Sequence, residues 1–271
     1  MKYDPIKHSL GKLVNKNIHL RIFFYKLLDI LLLRSWHIRK EINKLAGKIP
    51  GAPVILDAGS GFGQYSYYLV RKFKKAKIIG VDIKMEQIKD CNSFISNAGL
   101  SERVIFRNVD LTTFQETEIY DLILSIDVME HIEDDLKVLR NLHNALKKNG
   151  ILLISTPSDL GGSDTCDETD TSFIEEHVRN GYNLSQLETK LKDAGFLKIV
   201  SHYSYGKPGQ FSWKLSMKYP VIMLNSSKLF YILLPFYYLL ILPIFLILNF
   251  LDVNMDHSKG TGLIVKAYKQ R

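Results

Sequence analysis

The stretch VILDAGSGFGQYSYYL, Val54 to Leu69, runs from an apolar segment through an acid and three glycines at alternate places into a second apolar segment. This order predicts a strand, a tight turn at Gly59-Ser60-Gly61-Phe62-Gly63 and a helix. Glycine is needed where the backbone takes a positive φ, or where a ligand must reach main-chain atoms that a Cβ would shield. A ligand therefore fits this turn. It is not the dinucleotide fingerprint GxGxxG, because Gln64 stands at the sixth place and the third glycine comes one place early, at Gly63. Nor is it a P-loop, whose Gly-Lys-Ser/Thr ending is missing.

Outward from the turn, apolar runs alternate with amphipathic segments from Ala52 onward, which predicts strand and helix units around a mainly parallel sheet. Strands are predicted near 53–58, 77–83, 104–110, 120–127 and 150–157, with helices near 63–74, 85–97 and 133–147. The last helix is expected to close with KKNG, a basic final turn followed by Gly150. A helix from Leu184 to Ala194 leads into GFLKIVSHYSY, and GLIVKAYK is the final strand. Asp57 is expected in the turn just after the first strand, and Asp82 ends the second in IIGVDI, where a carboxylate can accept both hydroxyls of a ribose. Asp110 ends the third strand and Asp127 the fourth, in YDLILSIDVMEHIED. Carboxylates at the carboxyl ends of successive parallel strands line one crevice, where such sheets bind ligands.

With 271 residues and 46% hydrophobic content, the chain can fill one large core with additions. Cys91 and Cys166 form neither a disulfide framework nor a metal cluster, which points to a reducing compartment. The segment after Met1 is polar and basic through Ile18, so no secretory signal is expected. The formal charge of +8 comes from residues 1–50, which hold eleven Lys/Arg against three Asp/Glu, leaving 25 of each sign elsewhere. Within this arm Leu20, Phe24, Leu27 and Leu31 recur at helical spacing, interrupted by Arg21, Lys26, Asp29 and Arg34. That composition favours an interfacial helix on an anionic membrane over nucleic-acid binding; a cap helix packed on the domain's own core is the alternative.

Six segments together resemble the class I S-adenosylmethionine-dependent methyltransferases, and among them the small-molecule branch that includes quinone-biosynthesis enzymes. They are VILDAGSGFG, IIGVDI, RNVD, YDLILSIDVMEHI, LKKNGILLISTP and EEHVRNGYNLSQLETKLKDAGF. The resemblance implies a Rossmann-like α/β fold, a seven-stranded mostly parallel sheet with helices on both faces, and S-adenosyl-L-methionine as cofactor. It implies that Asp57, Gly59, Gly61 and Gly63 border the methionine and ribose of that cofactor, and that Asp82 takes the ribose hydroxyls. Ile83, Val109, Asp110 and Leu111 would lie around the adenine, and Asp127 would face the sulfonium. Asp121 resembles a positioning residue without cofactor contact.

A general base is needed only for a hydroxyl or activated carbon acceptor; His131 and His177 are the candidates, with pocket lining or a helix-start cap as the plainer roles. Arg179 and Tyr182 are candidate acceptor contacts. The tract SDLGGSDTCDETDTSFIEE lacks ordered ligand spacing and reads as a solvated lid, so no metal is implied.

The largest addition is LFYILLPFYYLLILPIFLILNFL, Leu229 to Leu251, with no charged residue in 23 positions. A buried helix pair is one reading of it; a membrane-associating insertion is the other. The organisation expected is a basic helical arm over 1–50, a methyltransferase domain over 51–218, an apolar insertion over 219–251 and the last strand over 252–271. Because the insertion lies between two strands expected to pair, its ends share one side of a bilayer, and Pro235 and Pro243 are expected to break it into two short helices that dip into one leaflet. The function expected is methyl transfer to an amphipathic or lipid-linked small molecule at the cytoplasmic face of a membrane. Aminopropyl transfer and non-catalytic cofactor binding are the alternatives.

Overall fold

The computed structural model describes residues 17–161, 178–227 and 229–270. Seven strands form one sheet in the order β3-β2-β1-β4-β5-β7-β6: β1 Val54–Ala58, β2 Lys77–Asp82, β3 Val104–Asn108, β4 Tyr120–Ile126, β5 Leu146–Pro157, β6 Lys198–Ser204 and β7 Gly262–Tyr268. All pairings are parallel except those of β7, which runs antiparallel to both β5 and β6. The order reverses at β1, so β1 and β4 diverge at a switch point and leave a crevice at their carboxyl ends.

The central strands bury side chains on both faces, as their near-continuous apolar runs require. One face is covered by four helices: α1 Ile18–Leu31, α2 Leu33–Leu45, α3 Gln64–Lys72 and α4 Met85–Asn97. The other is covered by α5 Asp135–Ala145 and α6 Leu184–Asp193, through Val138, Leu139, Leu142, Leu187 and Leu191. The helix expected to end at KKNG stops earlier, at Ala145, and Leu146 already pairs with Tyr120. Lys147 to Gly150 instead form an irregularity within β5, with Asn149 in the left-handed region (φ 65°) and its N–H bonded to Lys269 O.

The described part of the N-terminal arm, residues 17–50, packs on the domain. Its single interfacial helix is corrected to two helices broken at Leu32, whose backbone is extended, and Arg21, expected on a polar face, is interior. The Arg21 guanidinium donates to Phe62 O at 2.9 Å, Asp90 O at 3.2 Å and Tyr25 Oη at 2.8 Å, and stands 4.8 Å from the Phe94 ring centre. The Phe62 carbonyl of the glycine turn and the Asp90 carbonyl of α4 thus satisfy the buried cation and fasten α1 over that turn. The expected stripe divides: Leu20 and Leu27 face outward with Phe23 and Ile30, while Phe24 packs against the core.

The insertion leaves the sheet after Ser204 and returns at Gly262, and these two residues are register partners. It forms a helical hairpin. α7 Lys207–Trp213 passes through a π-turn, Lys214–Lys218, into α8 Tyr219–Ser226; α9 Phe230–Asn254 returns. The expected break near Pro235–Pro243 is corrected: α8 ends at Ser226 with Ser227 extended, and both prolines lie inside the continuous α9. Two sets of contacts anchor the helix along the proline-containing stretch and beyond it. Tyr237 and Tyr238 donate to Leu215 O and Ser216 O of the π-turn at 2.7 and 2.8 Å, and α9 also docks through Phe245, Asn249 and Asp252, all fully buried. The remaining face is exposed and apolar.

Replacing Arg21 by alanine removes the side-chain donor to Asp90 O, leaves Phe62 O with the Tyr25 hydroxyl as its remaining side-chain donor, and removes the cation that α1 contributes. Denaturant unfolding of Arg21→Ala should give a stability lower by about 2–3 kcal/mol; a loss below about 0.5 kcal/mol would show that the arm does not unfold with the domain.

Candidate functional site

The turn after β1 places three consecutive alternate glycines in the left-handed region, Gly59 (φ 81°), Gly61 (φ 49°) and Gly63 (φ 74°). Gly59 N–H and Ser60 N–H both donate to Val81 O, at 2.8 and 2.9 Å, tying the turn to the end of β2. A Cβ on Gly59 would stand 2.2 Å from Val128 Cγ2, and one on Gly63 2.9 Å from the Phe106 ring. Gly61 differs: nothing lies within 4 Å of where its Cβ would be. Two glycines therefore serve packing, and the middle one opens onto the crevice.

Asp82 faces that opening. Its Oδ2 accepts from Gly61 N–H at 2.9 Å and its Oδ1 from Lys84 N–H at 2.9 Å. Ile83 is exposed beside it. Asn108 Nδ2 donates to the carbonyls of Asp82 and Ile83, which aligns the ends of β2 and β3. Asp110 caps a short 3₁₀ turn by accepting from Thr112 N–H and Oγ1–H. Val109 is half-buried, and the Leu111 side chain is buried in the core.

Asp57 lies beneath the turn, fully enclosed, accepting from Ser66 Oγ at 2.6 Å. Burial pushes its pKa up to about 6 against the Ser66 hydrogen bonds, and the neighbouring charge of Asp82 adds to the rise. Asp121 accepts from Val54 N–H at 2.8 Å and Lys147 Nζ at 2.9 Å, a strand-fixing role away from the turn.

At the end of β4, Asp127 takes a positive φ of 52°, unusual for a non-glycine residue, and its N–H is held by Ser155 O at 2.8 Å. Its carboxylate is ion-paired with Arg34, delivered by α2. A 3₁₀ turn, Met129–His131, follows. Glu130 in that turn is buried and accepts from Thr156 Oγ1 at 3.0 Å through Oε2, while its Oε1 has no hydrogen-bond partner among the described residues. Burial raises its pKa, opposed by its own backbone N–H and by the charge of His131. His131 is partly buried beside it. Tyr65 Oη and Ser60 Oγ are likewise buried without a partner among the described residues.

The structure corrects two expected acceptor contacts. Arg179 is paired with Asp135 and donates to Ile132 O at 2.6 Å and Glu133 O at 3.1 Å; Tyr182 is buried and donates to Met129 O at 3.0 Å. Asp135, at the start of α5, collects Arg179, Tyr182 and Lys190, so these residues brace the Met129–His131 turn instead of facing an acceptor. His177 and most of the acidic tract lie outside the described residues. Sequence reasoning missed Arg34, Tyr65 and Glu130. Glu130, adjacent to His131, and Tyr65, two residues after Gly63, stood within recognised motifs; Arg34 did not. A groove of about 760 Å³ lined by Trp36, Arg39, Lys40 and Val253 is no rival crevice, because no strand residue lines it and Arg39 and Lys40 are already engaged by Asp29 and Val253 O.

An open cradle at Gly61, a strand-end carboxylate bonded to it and the unpartnered Ser60 hydroxyl fit a cofactor with a ribose and a polar tail.

Asp57 ties stability to pH. Its folded-state pKa is raised, so the folded state holds its proton more tightly than the unfolded chain, and the stability this confers is present below about pH 3.8 and lost as pH rises to about 6. Asp57→Asn should remove this dependence. Unfolding measured at pH 4 and pH 7 should show the variant gaining about 2 kcal/mol on the wild type across that window; parallel pH profiles would contradict the assignment.

Comparison with known proteins gives the same answer as the geometry. The family described as methyltransferase domain matches residues 51–210. Phosphoethanolamine N-methyltransferase 1 of Arabidopsis thaliana is 32% identical over 171 residues, covering 60% of this chain and 32% of that protein. Ubiquinone biosynthesis O-methyltransferase of Actinobacillus pleuropneumoniae is 28% identical over 130 residues, covering 46% of this chain and 52% of that protein. This chain thus spans about a third to a half of the length of these relatives. Haemonchus contortus phosphoethanolamine N-methyltransferase 2, solved with S-adenosyl-L-methionine, superposes with a TM-score of 0.62 at 19% identity, over 92% of this chain and 60% of that one. The chain belongs to the methyltransferase-domain family, the class I S-adenosylmethionine-dependent methyltransferases.

Proposed function

We propose that the protein transfers a methyl group from S-adenosylmethionine to an amphipathic or lipid-linked small molecule at a membrane surface. The open Gly61 turn bonded to Asp82 is the observation that supports the transfer half of this reading. In it Asp82 holds the ribose hydroxyls, Asp57 and the glycine turn border the methionine and ribose, Ile83, Val109, Asp110 and Leu111 surround the adenine, and Asp127 meets the methyl-donor end. Bound there, the cofactor supplies a methyl group already activated by its sulfonium. The protein's own work is alignment: holding the acceptor atom in line can supply about 7–11 kcal/mol. Where the acceptor is a hydroxyl, His131 is the residue that takes its proton, with His177 as the second candidate.

The exposed face of α9 supports the membrane half. This helix is 25 residues long with a mean hydropathy of 2.4 over its most apolar window, of which 6% is buried. Ile232, Phe236, Leu239, Leu240 and Ile247 present an apolar surface that water disfavours, and Leu20, Phe23, Leu27 and Ile30 add an outward stripe on α1. Both ends of the insertion meet at one point of the sheet, so the hairpin enters from one side.

Asp82→Ala should weaken cofactor binding by about 1.5–3 kcal/mol in calorimetric titration, while a folded variant with unchanged affinity would mean the crevice is assigned wrongly. Methyl-labelled cofactor incubated with the protein and a membrane lipid extract should label a lipid-soluble small molecule; label found only in protein or nucleic acid would refute the acceptor class. Phe236→Glu with Leu240→Glu, both at exposed sites, should weaken sedimentation with phosphatidylglycerol vesicles about a hundredfold, and undiminished sedimentation would remove α9 as the contact.

A further inference from the structure

At the carboxyl end of β4 the Asp127 carboxylate does not stand alone: α2 brings the Arg34 guanidinium onto it. Arg34 is held there deliberately by the fold. α1 is locked down through Arg21 and Tyr25 on Phe62 O, and Gln64 Nε2 ties the arm to the turn by donating to Asp29 Oδ1 at 2.7 Å and Ser35 Oγ at 3.1 Å. Arg34 is thereby the residue next to a fixed anchor, and its charge acts on Asp127, Glu130 and Tyr205 at once. Two polar atoms in the same neighbourhood, Glu130 Oε1 and Tyr65 Oη, are buried and have no partner among the described residues.

One carboxylate cannot fully neutralise two cations. We propose that Arg34 selects the acceptor: when Asp127 meets the cationic end of the cofactor, the Arg34 guanidinium is released from it to receive an anionic group, a phosphate or a carboxylate, on the methyl acceptor. A planar guanidinium presents paired donors that match either anion, which lysine at this place would not reproduce. The exchange also orders binding, because the anion site forms fully only once Asp127 has a different cation. Coupling of this kind is reciprocal, so an anion at Arg34 must tighten the cofactor by the factor by which the cofactor tightens the anion. This inference rests on the reading that Asp127 meets the methyl-donor end.

The test is calorimetric titration of S-adenosylmethionine and of uncharged-sulfur S-adenosylhomocysteine into the full chain, with wild type, Arg34→Ala, Arg34→Lys and Asp127→Asn, folding being checked by circular dichroism. Arg34→Ala should bind S-adenosylmethionine about three- to tenfold more tightly relative to S-adenosylhomocysteine than wild type does, because a competing cation is gone. Millimolar inorganic phosphate or acetate should tighten S-adenosylmethionine about fivefold in wild type, less in Arg34→Lys and not at all in Arg34→Ala. The same titration with phosphatidylglycerol vesicles separates the sources: tightening by free ions supports a soluble anionic acceptor, and tightening by vesicles alone supports a lipid headgroup, either one sustaining the anion site. Equal ratios in wild type and Arg34→Ala with no anion effect overturn the role of Arg34. If Asp127→Asn also leaves the ratio unchanged, the placement of Asp127 at the methyl-donor end fails with it; if Asp127→Asn alone shifts the ratio, only the Arg34 inference fails.

Discussion

One hydrogen bond organises the molecule's chemistry: Gly61 N–H to Asp82 Oδ2, at 2.9 Å, joining the turn after β1 to the end of β2. It is possible only because three glycines carry the backbone through positive φ within five residues, so that main-chain donors face across to the neighbouring strand. Val81 O accepts two more donors from the same turn. The crevice is thus defined by backbone geometry before any side chain reaches into it, and a substitution at Gly59 or Gly63 would have to displace Val128 or Phe106.

The rest of the fold supports that turn from two sides. From below, Asp57 is buried, its pKa raised by that burial, and it accepts from Ser66 of α3. From above, the arm places Arg21 on the turn's own carbonyl and Arg34 on the strand-end acid. The helical hairpin then joins the same assembly, since Asp252 of α9 accepts from Gly209 N–H at 2.9 Å and lies 2.9 Å from His37 Nε2 on α2, one turn from Arg34. The apolar helix and the crevice therefore share a structural element.

The sheet was legible in the sequence because parallel central strands are buried on both faces and read as unbroken apolar runs, and the turn was legible because glycine adopts its positive φ values without steric cost. The strand-end acids Asp82 and Asp127 lie where that pattern puts them. What was illegible depended on contacts between distant segments. Arg21 and Arg34 looked like the polar face of an interfacial helix, since nothing local announces that a carbonyl at Phe62 or a carboxylate at Asp127 will receive them. Arg179 looked available for an acceptor until Asp135 proved to hold it. Pro235 and Pro243 looked like helix breakers, but tertiary anchors at Tyr237, Tyr238 and Asn249 override a local preference of a few kcal/mol.

Hydrogen exchange on the full chain, with and without S-adenosylmethionine, tests the central claim most directly, because it reads the backbone amides on which the crevice depends. Saturation should slow exchange at Gly59 to Gly63 and from Asp82 through Leu111, with smaller changes elsewhere in the sheet. Unchanged exchange at those amides, with protection appearing instead along the groove of Trp36, Arg39 and Val253, would contradict the account.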